Sequence, residues 1–587
     1  MENFAEVLGV LWGNVRFGFA TLVIVLSPYL LLNLLPLRIR WKGWFRKFTD
    51  VFLFWIPLML VLVGNFADGC YYQYTYRRLT SEIFSYMRFS GGMGEQAVHY
   101  ITDFWYAYAV FAVLMVLLIY RSSKYVLANR SKYNRYLAND ICGMVVSFAL
   151  LFFVARGGAQ PKWLSFEDAA DHCQPKNMPL VTNSIFTLLE STNKPLLLPD
   201  TDFNMAAGVS FSTRFTPLVA TDSLSMVNSG CFCNVVLIVL ESFSQEYMGC
   251  YNTSLKYSCT PFLDSLSQYC TCYQGRSNSK KSIESIATII SSRPTLMSLP
   301  YSMSGYCPDT LEALPRILGR NSYHTAFFHG CHNGSMGFDE LCAKAGFGRY
   351  VGFDEYVADQ SLQDSDYDHA WGIYDKPFLQ YTAQVLSKIP EPFFGMIFTI
   401  SSHHPYSVPS DFEVPDALKG QHPLLSVVSY TDRALRDFFE ICSKQQWYNN
   451  TLFIITGDHP GQGLSPRYND YDGWYDVPML FFEPWNPKHQ VSERIFQHAD
   501  LQPTIIDYLR INGACYCMGT SAIQSPNYGF QLLYGDGYYQ LLENDSQNPS
   551  VHNLTVRSGN LRIGSDAGQR KLEKMLIEYK KLLRTRR

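Results

Sequence analysis

Four long, almost uninterrupted apolar segments lie within the first 157 residues, and they limit the possible folds more than any other feature. The segments are Phe17–Leu37, Phe48–Phe66, Phe104–Tyr120 and Ile141–Val154. A helix needs about 20 apolar residues to cross a bilayer, and only the fourth segment is clearly shorter. We therefore predict a transmembrane region over residues 1–157 with four spans. The alternative is a buried helical bundle in a soluble protein.

The charges between the segments predict the orientation in the membrane. Basic residues fill the first and third connections: Arg38, Arg40, Lys42, Arg46, Lys47, Arg121, Lys124, Arg130, Lys132 and Arg135. Because cytoplasmic loops carry an excess of Lys and Arg, both connections are expected in the cytoplasm. The N-terminus and everything after Val154 then lie outside. The sequence thus predicts a multi-pass protein of the cell (cytoplasmic) membrane with an extracytoplasmic soluble part. No cleavable signal peptide is expected, since the first apolar segment is too long and lacks a small-residue cleavage site.

The rest of the chain divides into three predicted parts. Residues 158–230, which are rich in Pro, are interpreted as a juxtamembrane linker with short helices, one near Ser184–Leu189. Residues 231–545 form the predicted soluble domain, closed by a hairpin pair after Ser525. Residues 546–587 are predicted to be a tail with a helix over Gln569–Arg587, which carries an apolar stripe and a basic end. A solvated helix is the favoured interpretation, with contact to anionic lipid or polymer as the alternative.

Charge and cysteine content restrict the partners. The net charge of −3 provides no general basic field, so nucleic acid is not expected as a partner. Of the fifteen Cys, thirteen follow the membrane region, and an oxidising compartment would allow some disulfides. The pairs Cys231/Cys233, Cys270/Cys272 and Cys515/Cys517 lack the Cys-x-x-Cys spacing of zinc ribbons.

Four short apolar runs of the soluble domain each end at a carboxylate or a histidine. The runs are Asn234–Leu240, Thr325–Phe328, Phe394–Ile400 and Leu452–Ile455, and the residues that follow them are Glu241, His329, His403 with His404, and Asp458 with His459. Such runs are typical of buried parallel strands, and ligands gather at the carboxyl ends of parallel strands. With intervening helices such as Tyr430–Lys444, they predict an α/β domain with a mostly parallel central sheet flanked by helices.

Carboxylate oxygens and an imidazole nitrogen at one sheet edge suit a divalent cation. We therefore predict that Glu241, Asp458 and His459 are metal ligands. Each also has a structural alternative: Glu241 as a cap of the next helix, and a histidine at a strand end as a packed core residue.

Ser282 lies where a predicted helix begins, directly after Lys280 and Lys281. An N-cap role is one interpretation, because Ser is common there. A helix N-terminus is also an anion site, and the two lysines add positive charge. A serine is a weak nucleophile until its proton is removed or a metal binds its oxygen. Ser282 is therefore the candidate nucleophile, with the cation as its activator.

Taken in order, the motifs resemble the lipoteichoic acid synthase-like branch of the alkaline phosphatase/sulfatase superfamily. The motifs are KKS before a helix, SSHHPY, YTDRALRDFFE, WYNNTLFIITGDHPG and DLQPTIID. The resemblance implies a metal site of Glu241, Asp458, His459 and the Ser282 oxygen, with Ser282 in place of the Thr nucleophile of those synthases. It also implies that His329, His403 and Lys281 bind the substrate.

Two departures from the family and one exclusion accompany this resemblance. The synthases usually have five spans, whereas four are found here. The Trp and Arg that bind glycerol phosphate in the synthases have no clear counterpart in CHNGSMGFDE. The identity of the donor head group therefore stays open. Sulfatases need a Cys/Ser-x-Pro-x-Arg context for conversion to formylglycine, whereas Ser282 is followed by Ile-Glu-Ser-Ile. Sulfate ester hydrolysis is therefore not expected.

The resulting hypothesis is a membrane-anchored phosphotransferase with one divalent ion, Mn²⁺ first and Mg²⁺ or Zn²⁺ as alternatives. Ser282 would attack a membrane phospholipid donor, and an envelope glycan or lipid would accept the phosphoglycerol- or phosphoethanolamine-type group. His403 would position the phosphate or protonate the leaving oxygen, assisted by His329. The alternatives are a phosphodiesterase or phosphatase that uses water as acceptor, and a membrane-anchored binding or sensor module without catalysis.

Overall fold

The computed structural model describes residues 4–35, 43–75, 78–81, 105–128, 137–160, 163–174, 177–193, 212–215, 233–470, 473–511, 513–535, 538–545, 548–557, 560–561 and 567–584. The chain divides into two units. The first takes in residues 1–83 and 92–194, and the second takes in the remainder.

Long apolar helices make up most of the first unit. They are α1 (Phe4–Val25), α2 (Ser27–Leu34), α3 (Gly43–Phe48), which continues through a π-helix (Thr49–Trp55) into α4 (Ile56–Thr75), α5 (Trp105–Ala128) and α6 (Leu137–Ala155). By length and composition, Phe4–Val25 and Trp44–Gly69 could each cross a membrane. The helices of the third and fourth predicted spans contain shorter apolar segments, Tyr108–Leu117 and Cys142–Ala155. A four-span topology therefore stays a prediction.

The first apolar helix begins earlier than predicted, at Phe4 rather than Phe17. The reason is Arg16, whose charge interrupts the apolar run in the sequence. Its guanidinium donates to the Gly157 carbonyl at 2.6 Å and to the Gln160 side chain at 2.9 Å. Because these partners satisfy the charged group, the helix continues through it.

Part of the predicted linker is ordered within the first unit. A 3₁₀ turn (Phe166–Asp171) and helices α7 (Met178–Val181) and α8 (Ser184–Asn193) belong to it, and α8 confirms the helix predicted near Ser184. The Ser184 hydroxyl donates to the Asp68 carboxylate at 2.6 Å, and Arg78 pairs with the same carboxylate at 2.7 Å. This buried polar contact fixes the start of α8 against α4.

An eight-stranded sheet is the centre of the second unit. The strands of this unit are β1 (Ser212–Phe215), β2 (Asn234–Leu240), β3 (Cys270–Arg276), β4 (His324–His329), β5 (Arg349–Val351), β6 (Phe393–Phe398), β7 (Thr451–Gly457), β8 (Met479–Phe482), β9 (Gln490–Gln497), β10 (Gly513–Tyr516), β11 (Tyr528–Gly535), β12 (Tyr538–Asp545), β13 (Asn548–Arg557) and β14 (Asn560–Leu561). The sheet order is β5-β4-β6-β2-β7-β8-β3-β9. Only β8 runs antiparallel to its neighbours. The predicted mostly parallel sheet is confirmed.

Helices cover both faces of this sheet. They are α9 (Pro261–Ser267), α10 (Ser282–Ser291), α11 (Leu314–Arg320), α12 (Phe338–Ala345), α13 (Phe353–Asp359), α14 (Asp375–Leu386), α15 (Pro423–Cys442) and α16 (Leu501–Tyr508). The burial of strand β2 on both faces explains why its sequence is apolar throughout. Val235 and Leu237 pack into the core on one face, and Val236 and Ile238 pack into the core on the other. Since side chains alternate along a strand, burial on both faces requires a continuous apolar run.

The C-terminal residues, which were expected in a separate tail, belong to the same unit as the sheet. Strands β11 and β12 form the predicted hairpin, and β13 pairs with β12 beyond the expected boundary at residue 545. Helix α17 (Ala567–Arg584) buries its apolar stripe, which consists of Leu572, Met575, Leu576, Tyr579 and Leu583. The helix is thus solvated on one face only, because such a stripe needs an apolar partner.

Candidate active site

Four adjacent strands bring the predicted residues to one edge of the sheet. Strands β4, β6, β2 and β7 are neighbours in that order. The register pairs Leu240 with Gly457, so the residues that follow them, Glu241 and Asp458, come side by side. In the same way His329, the last residue of β4, lies opposite Phe398 of β6. The parallel arrangement therefore converts four separate strand ends into one site.

Helix α10 delivers Ser282 to this edge. Ser282 is the first helical residue and Lys281 is the N-cap, so the hydroxyl does not have the N-cap role considered above. The local capping is done by the Ser279 hydroxyl, which accepts the Lys281 N–H at 2.9 Å and donates to Glu284 at 2.6 Å. Ser282 Oγ lies instead 3.3 Å from Glu241 Oε2 and 3.3 Å from His459 Nε2.

The carboxylate of Asp458 has the partners expected of a metal ligand. One oxygen, Oδ1, accepts the backbone N–H groups of Ser242 and His459, each at 2.7 Å. The other, Oδ2, is buried and has no hydrogen-bond donor among the described residues. Its recorded neighbour is His459 Nε2 at 3.4 Å, which bears no proton when Nδ1 donates to the Pro460 carbonyl. A buried carboxylate oxygen without a donor is costly, and a cation would satisfy it.

The remaining donor groups fit the same ion. One ligand atom from each of Glu241, Asp458 and His459 can be chosen so that all three lie within 4.8 Å of one another. Burial and the neighbouring Asp458 carboxylate raise the pKa of Glu241 well above its usual value. A divalent cation would remove this repulsion between two buried carboxylates. Two carboxylates, one imidazole and one hydroxyl are a donor set suited to Mn²⁺, Mg²⁺ or Zn²⁺.

Backbone geometry between the two carboxylates is unusual at Ser242, whose φ is +53°. This left-handed conformation is rarely adopted by residues other than glycine. In this conformation the Ser242 N–H donates to Asp458 Oδ1. The Ser242 hydroxyl donates to Glu241 Oε1 at 2.7 Å. Ser242 therefore holds both carboxylates in place.

Three histidines at the strand ends use the same ring nitrogen for a backbone hydrogen bond. The Nδ1 atoms of His329, His403 and His459 lie 3.1, 2.8 and 3.0 Å from the carbonyl oxygens of Phe398, His404 and Pro460. Because a carbonyl only accepts, each Nδ1 carries the proton and each Nε2 is left for another partner. Burial lowers the pKa of both His329 and His403 to about 4, so both are neutral at pH 7.

Trp371 is a site residue that the sequence did not reveal. Its indole N–H donates to the His404 carbonyl at 2.8 Å, the same oxygen that accepts from His403. The indole and the His403 imidazole are in contact, with ring centroids 4.0 Å apart. Trp371 lies between β5 and β6 in a segment without helical or strand periodicity, so no pattern marked it.

The two lysines before Ser282 are buried. Lys280 Nζ donates to the Pro460 carbonyl at 3.4 Å, and burial lowers the pKa of Lys280 to about 7. Lys281 holds the N-cap position beside Ser282. Lys280 is therefore only partly protonated near pH 7, and substrate binding by Lys281 stays a prediction.

The domain also resembles known proteins. Residues 233–511 match the family described as Sulfatase. The chain is 24% identical over 245 residues to the lipoteichoic acid synthase-like protein YvgJ of Bacillus subtilis, covering 40% of this chain and 38% of that protein. It is 24% identical over 340 residues to the lipoteichoic acid synthase of Staphylococcus saprophyticus, covering 52% of this chain and 49% of that protein. Each match thus spans less than half the length of the curated relative.

The chain also resembles a solved structure. The crystal structure of the lipoteichoic acid synthase LtaP from Listeria monocytogenes superposes with a TM-score of 0.49 and 18% identity, covering 61% of this chain and 92% of that chain. The resemblance predicted from the motifs is confirmed by the sulfatase-family match and the curated relatives.

Proposed function

We propose that this protein is a metal-dependent phosphotransferase anchored in the cell membrane. The premise is that residues 233–511 form a sulfatase-family domain. The protein moves a phosphoglycerol- or phosphoethanolamine-type group from a phospholipid donor to an envelope glycan or lipid. The observation that supports this best is the position of Ser282 Oγ, 3.3 Å from both Glu241 and His459 at the start of a helix.

Glu241, Asp458, His459 and Ser282 are the residues that would hold the metal ion, for which Mn²⁺ is the first candidate. When bound, a divalent ion supplies Lewis-acid chemistry, which lowers the pKa of the hydroxyl and neutralises charge on the phosphoryl oxygens. The unpaired Asp458 oxygen is the observation that supports metal binding.

Helix α10 places the nucleophile and an anion site together. The Lys281 carbonyl accepts the N–H groups of Glu284 and Ser285; the N–H groups of Ser282 and Ile283, which come first in the helix, together with the helix dipole, favour a phosphoryl group. Ser282 loses its proton to solvent and Oγ bonds to phosphorus. The phosphorus–oxygen bond to the diacylglycerol-type group breaks, and the leaving oxygen takes a proton. An acceptor hydroxyl then loses its proton and its oxygen bonds to phosphorus, while the bond between phosphorus and Ser282 Oγ breaks and Oγ takes up a proton.

The charge state of His403 determines its part in this reaction. With Nδ1 bonded to a carbonyl, the neutral ring offers only an acceptor at Nε2. A bound phosphoryl anion favours the protonated ring, so His403 takes up a proton when the donor binds. It then holds the phosphoryl oxygen or gives that proton to the leaving oxygen, while His329 stays neutral beside it.

The membrane region would anchor the enzyme in the bilayer that contains the donor. Two helices of the first unit have the length and composition of membrane spans, and the positive-inside pattern supports an extracytoplasmic catalytic domain. A phospholipid donor would then lie in the same bilayer that anchors the enzyme.

Turnover of defined lipids tests this proposal. Full-length protein in detergent is incubated with labelled phosphatidylglycerol or phosphatidylethanolamine, Mn²⁺ and a glycan or lipid acceptor. We expect a head group joined to the acceptor, loss of this product in Ser282→Ala, and its retention in Ser291→Ala. Ser291 is a matched control, since it is a buried serine of the same helix whose hydroxyl donates to the Ala287 carbonyl.

Two other results would overturn all or part of the proposal. Free phosphoglycerol or phosphoethanolamine in place of the joined product would identify a hydrolase that uses the same residues. Equal lipid turnover in Ser282→Ala and the wild type would exclude Ser282 as the nucleophile.

A further inference from the structure

Cys515 and Cys517 form a close pair of thiols in the second unit. Their Sγ atoms are 2.6 Å apart, and the residues are 5% and 1% exposed. Cys515 lies in strand β10 and Cys517 directly follows its end, so the spacing of two residues turns both side chains to the same face. A covalent disulfide is about 2.03–2.05 Å long; the two sulfurs are therefore already close to bonding distance.

Arg293 is a buried arginine whose charge acts on Cys515 and which has no acidic partner among the described residues. Arg293 is 1% exposed, and its Nη1 donates to the Tyr301 hydroxyl at 3.2 Å. Its Nε and Nη2 have no acceptor among the described residues. A guanidinium buried in this way is costly unless a negative charge is close, and a thiolate is the negative charge that the pair can supply.

The electrostatics of Cys515 agree with this assignment. The hydrogen bond from Cys517 lowers the pKa of Cys515 against the effect of burial, and Gln502 lowers it further; the Glu312 carboxylate raises it, and the positive charge of Arg293 acts in the opposite direction to Glu312. The Cys517 sulfur is also within 3.4 Å of the Gln502 amide nitrogen. The thiolate is the reactive form in disulfide exchange, so this pair is prepared for that reaction.

The thiol pair is connected to the helix that carries Ser282. Ser292 ends α10 with a φ of +53°. Its carbonyl accepts the Met518 N–H at 3.0 Å, and its hydroxyl accepts the Gly519 N–H at 3.2 Å. The segment that follows Cys517 thus holds the C-terminal end of α10, while Ser282 lies at the other end.

We propose that Cys515 and Cys517 are a redox site that forms a reversible disulfide by exchange with a small-molecule or protein disulfide. Because both sulfurs are buried, exchange requires a local opening that exposes Cys515. The Cys515 thiolate then attacks the external disulfide to form a mixed disulfide and release one thiolate. Cys517 then loses its proton and attacks the Cys515 sulfur, which forms the Cys515–Cys517 bond and releases the second thiol. Two electrons pass to the external disulfide. This proposal depends on the proposed function in one respect only. The oxidant that is available in the cell follows from the extracytoplasmic placement of the domain.

A second pair in the chain serves as an internal control. Cys270 and Cys272 have the same spacing in β3 and are also buried. Their thiols donate elsewhere, to the Leu266 carbonyl at 3.1 Å and the Ser267 carbonyl at 3.7 Å. Burial raises the pKa of Cys270 and raises that of Cys272 to about 11. We expect this pair to stay reduced.

Peptide mapping of the full-length protein tests the proposal. The protein is equilibrated in buffers of defined reduced and oxidised glutathione ratio, quenched in acid, alkylated, digested and analysed by mass spectrometry. We expect the peptide with Cys515 and Cys517 to become lighter by two hydrogen atoms and to resist alkylation until it is reduced. The peptide with Cys270 and Cys272 should be alkylated twice throughout.

Two variants test the role of Arg293. Arg293→Met removes the charge that stabilises the thiolate, so the disulfide should form at a glutathione ratio about tenfold more reducing; Arg293→Lys should keep the wild-type midpoint. Alkylation of both Cys pairs in the wild type at every ratio, or bridges from Cys515 or Cys517 to other cysteines, would overturn the proposal. An unshifted midpoint in Arg293→Met would exclude Arg293 from it. None of these results changes the turnover test of Ser282, so the two proposals fail separately.

Discussion

Trp371 and His403 donate hydrogen bonds to the same oxygen, the carbonyl of His404. The imidazole is therefore held on one side by its own Nδ1–H bond and on the other by contact with the indole, at a centroid distance of 4.0 Å. Since His403 is proposed to bind the phosphoryl group, Trp371 is a positioning residue for the reaction.

Substitution Trp371→Phe should lower kcat/KM about fivefold, which corresponds to about 1 kcal/mol for one lost hydrogen bond. The alkaline limb of the pH–rate profile should also move to higher pH, because His403 acts in its protonated form and a smaller ring leaves it less buried, which raises its pKa. Trp447→Phe is the matched control: it also removes an indole hydrogen bond, the one to Ser387 at 3.3 Å, and should leave kcat/KM unchanged. An unchanged pH profile in Trp371→Phe would show that Trp371 does not position His403.

Metal removal should destabilise the catalytic domain as well as stop turnover. Ligand binding to the folded state alone adds about 2.7 kcal/mol at a hundredfold excess over Kd, so Mn²⁺ should raise the Tm of chelator-treated protein. The response should disappear in His459→Gln and persist in His489→Gln, whose Nδ1 lies 3.0 Å from the Ser267 carbonyl. Calorimetry with and without Mn²⁺ measures this. An equal Mn²⁺ response in both variants would place the ion elsewhere.

The buried His498 should make the domain sensitive to acid. Its Nε2 is 2.8 Å from the Gly457 carbonyl, and burial lowers its pKa to about 3. The unfolded chain binds a proton with a pKa of about 6.5. The pKa of His498 is lower in the folded protein than in the unfolded chain. The stabilisation is therefore fully present above a pH of about 6.5 and is lost as the pH falls toward about 3.

Denaturant titrations across this range test the expectation for His498. The free energy of unfolding of the wild type should fall more steeply with acid than that of His498→Gln, by about 1.4 kcal/mol per pH unit. The comparison with the variant removes the contribution of the carboxylates common to both. Parallel pH dependences would contradict the assignment.

The ion pair of Arg494 and Asp500 should be important for stability, because both side chains are fully buried at an N–O distance of 2.9 Å. Arg494→Met leaves Asp500 buried without its partner and should cost about 3–5 kcal/mol. The exposed pair of Arg320 and Glu312, at 2.8 Å, is the control, and Arg320→Met should cost about 0–1 kcal/mol. Equal changes in the denaturation midpoint would refute the distinction.

The strands, and the meeting of the candidate metal ligands at one sheet edge, could be predicted because their physical causes are local in the sequence. A strand covered on both faces must be apolar throughout, which made Asn234–Leu240 recognisable residue by residue. Parallel strands end at one edge, so Glu241 and Asp458 could be placed together before any distance was known. The start of α10 followed from the apolar stripe that begins at Ile283.

Other features depend on contacts that are distant in the sequence. Trp371 meets His403 through the packing of a loop, and Arg293 stands among Ser and Pro residues, a context typical of exposed turns. Arg16 interrupted the first apolar helix in the sequence because its polar partners lie 141 and 144 residues away. The strand Asn548–Arg557 falls within the predicted tail, because its polar sequence gives no sign of the pairing with β12.

The proposed phospho-serine intermediate gives the most direct test of the function. Full-length protein with Mn²⁺ is incubated with a phospholipid donor in the absence of acceptor, quenched and mapped by mass spectrometry. We predict that the peptide with Ser282 gains the mass of the transferred phospho-head group, that Ser291 stays unmodified, and that added acceptor removes the adduct. Donor consumption with an unmodified Ser282 peptide, or the same adduct in Ser282→Ala, would contradict the account.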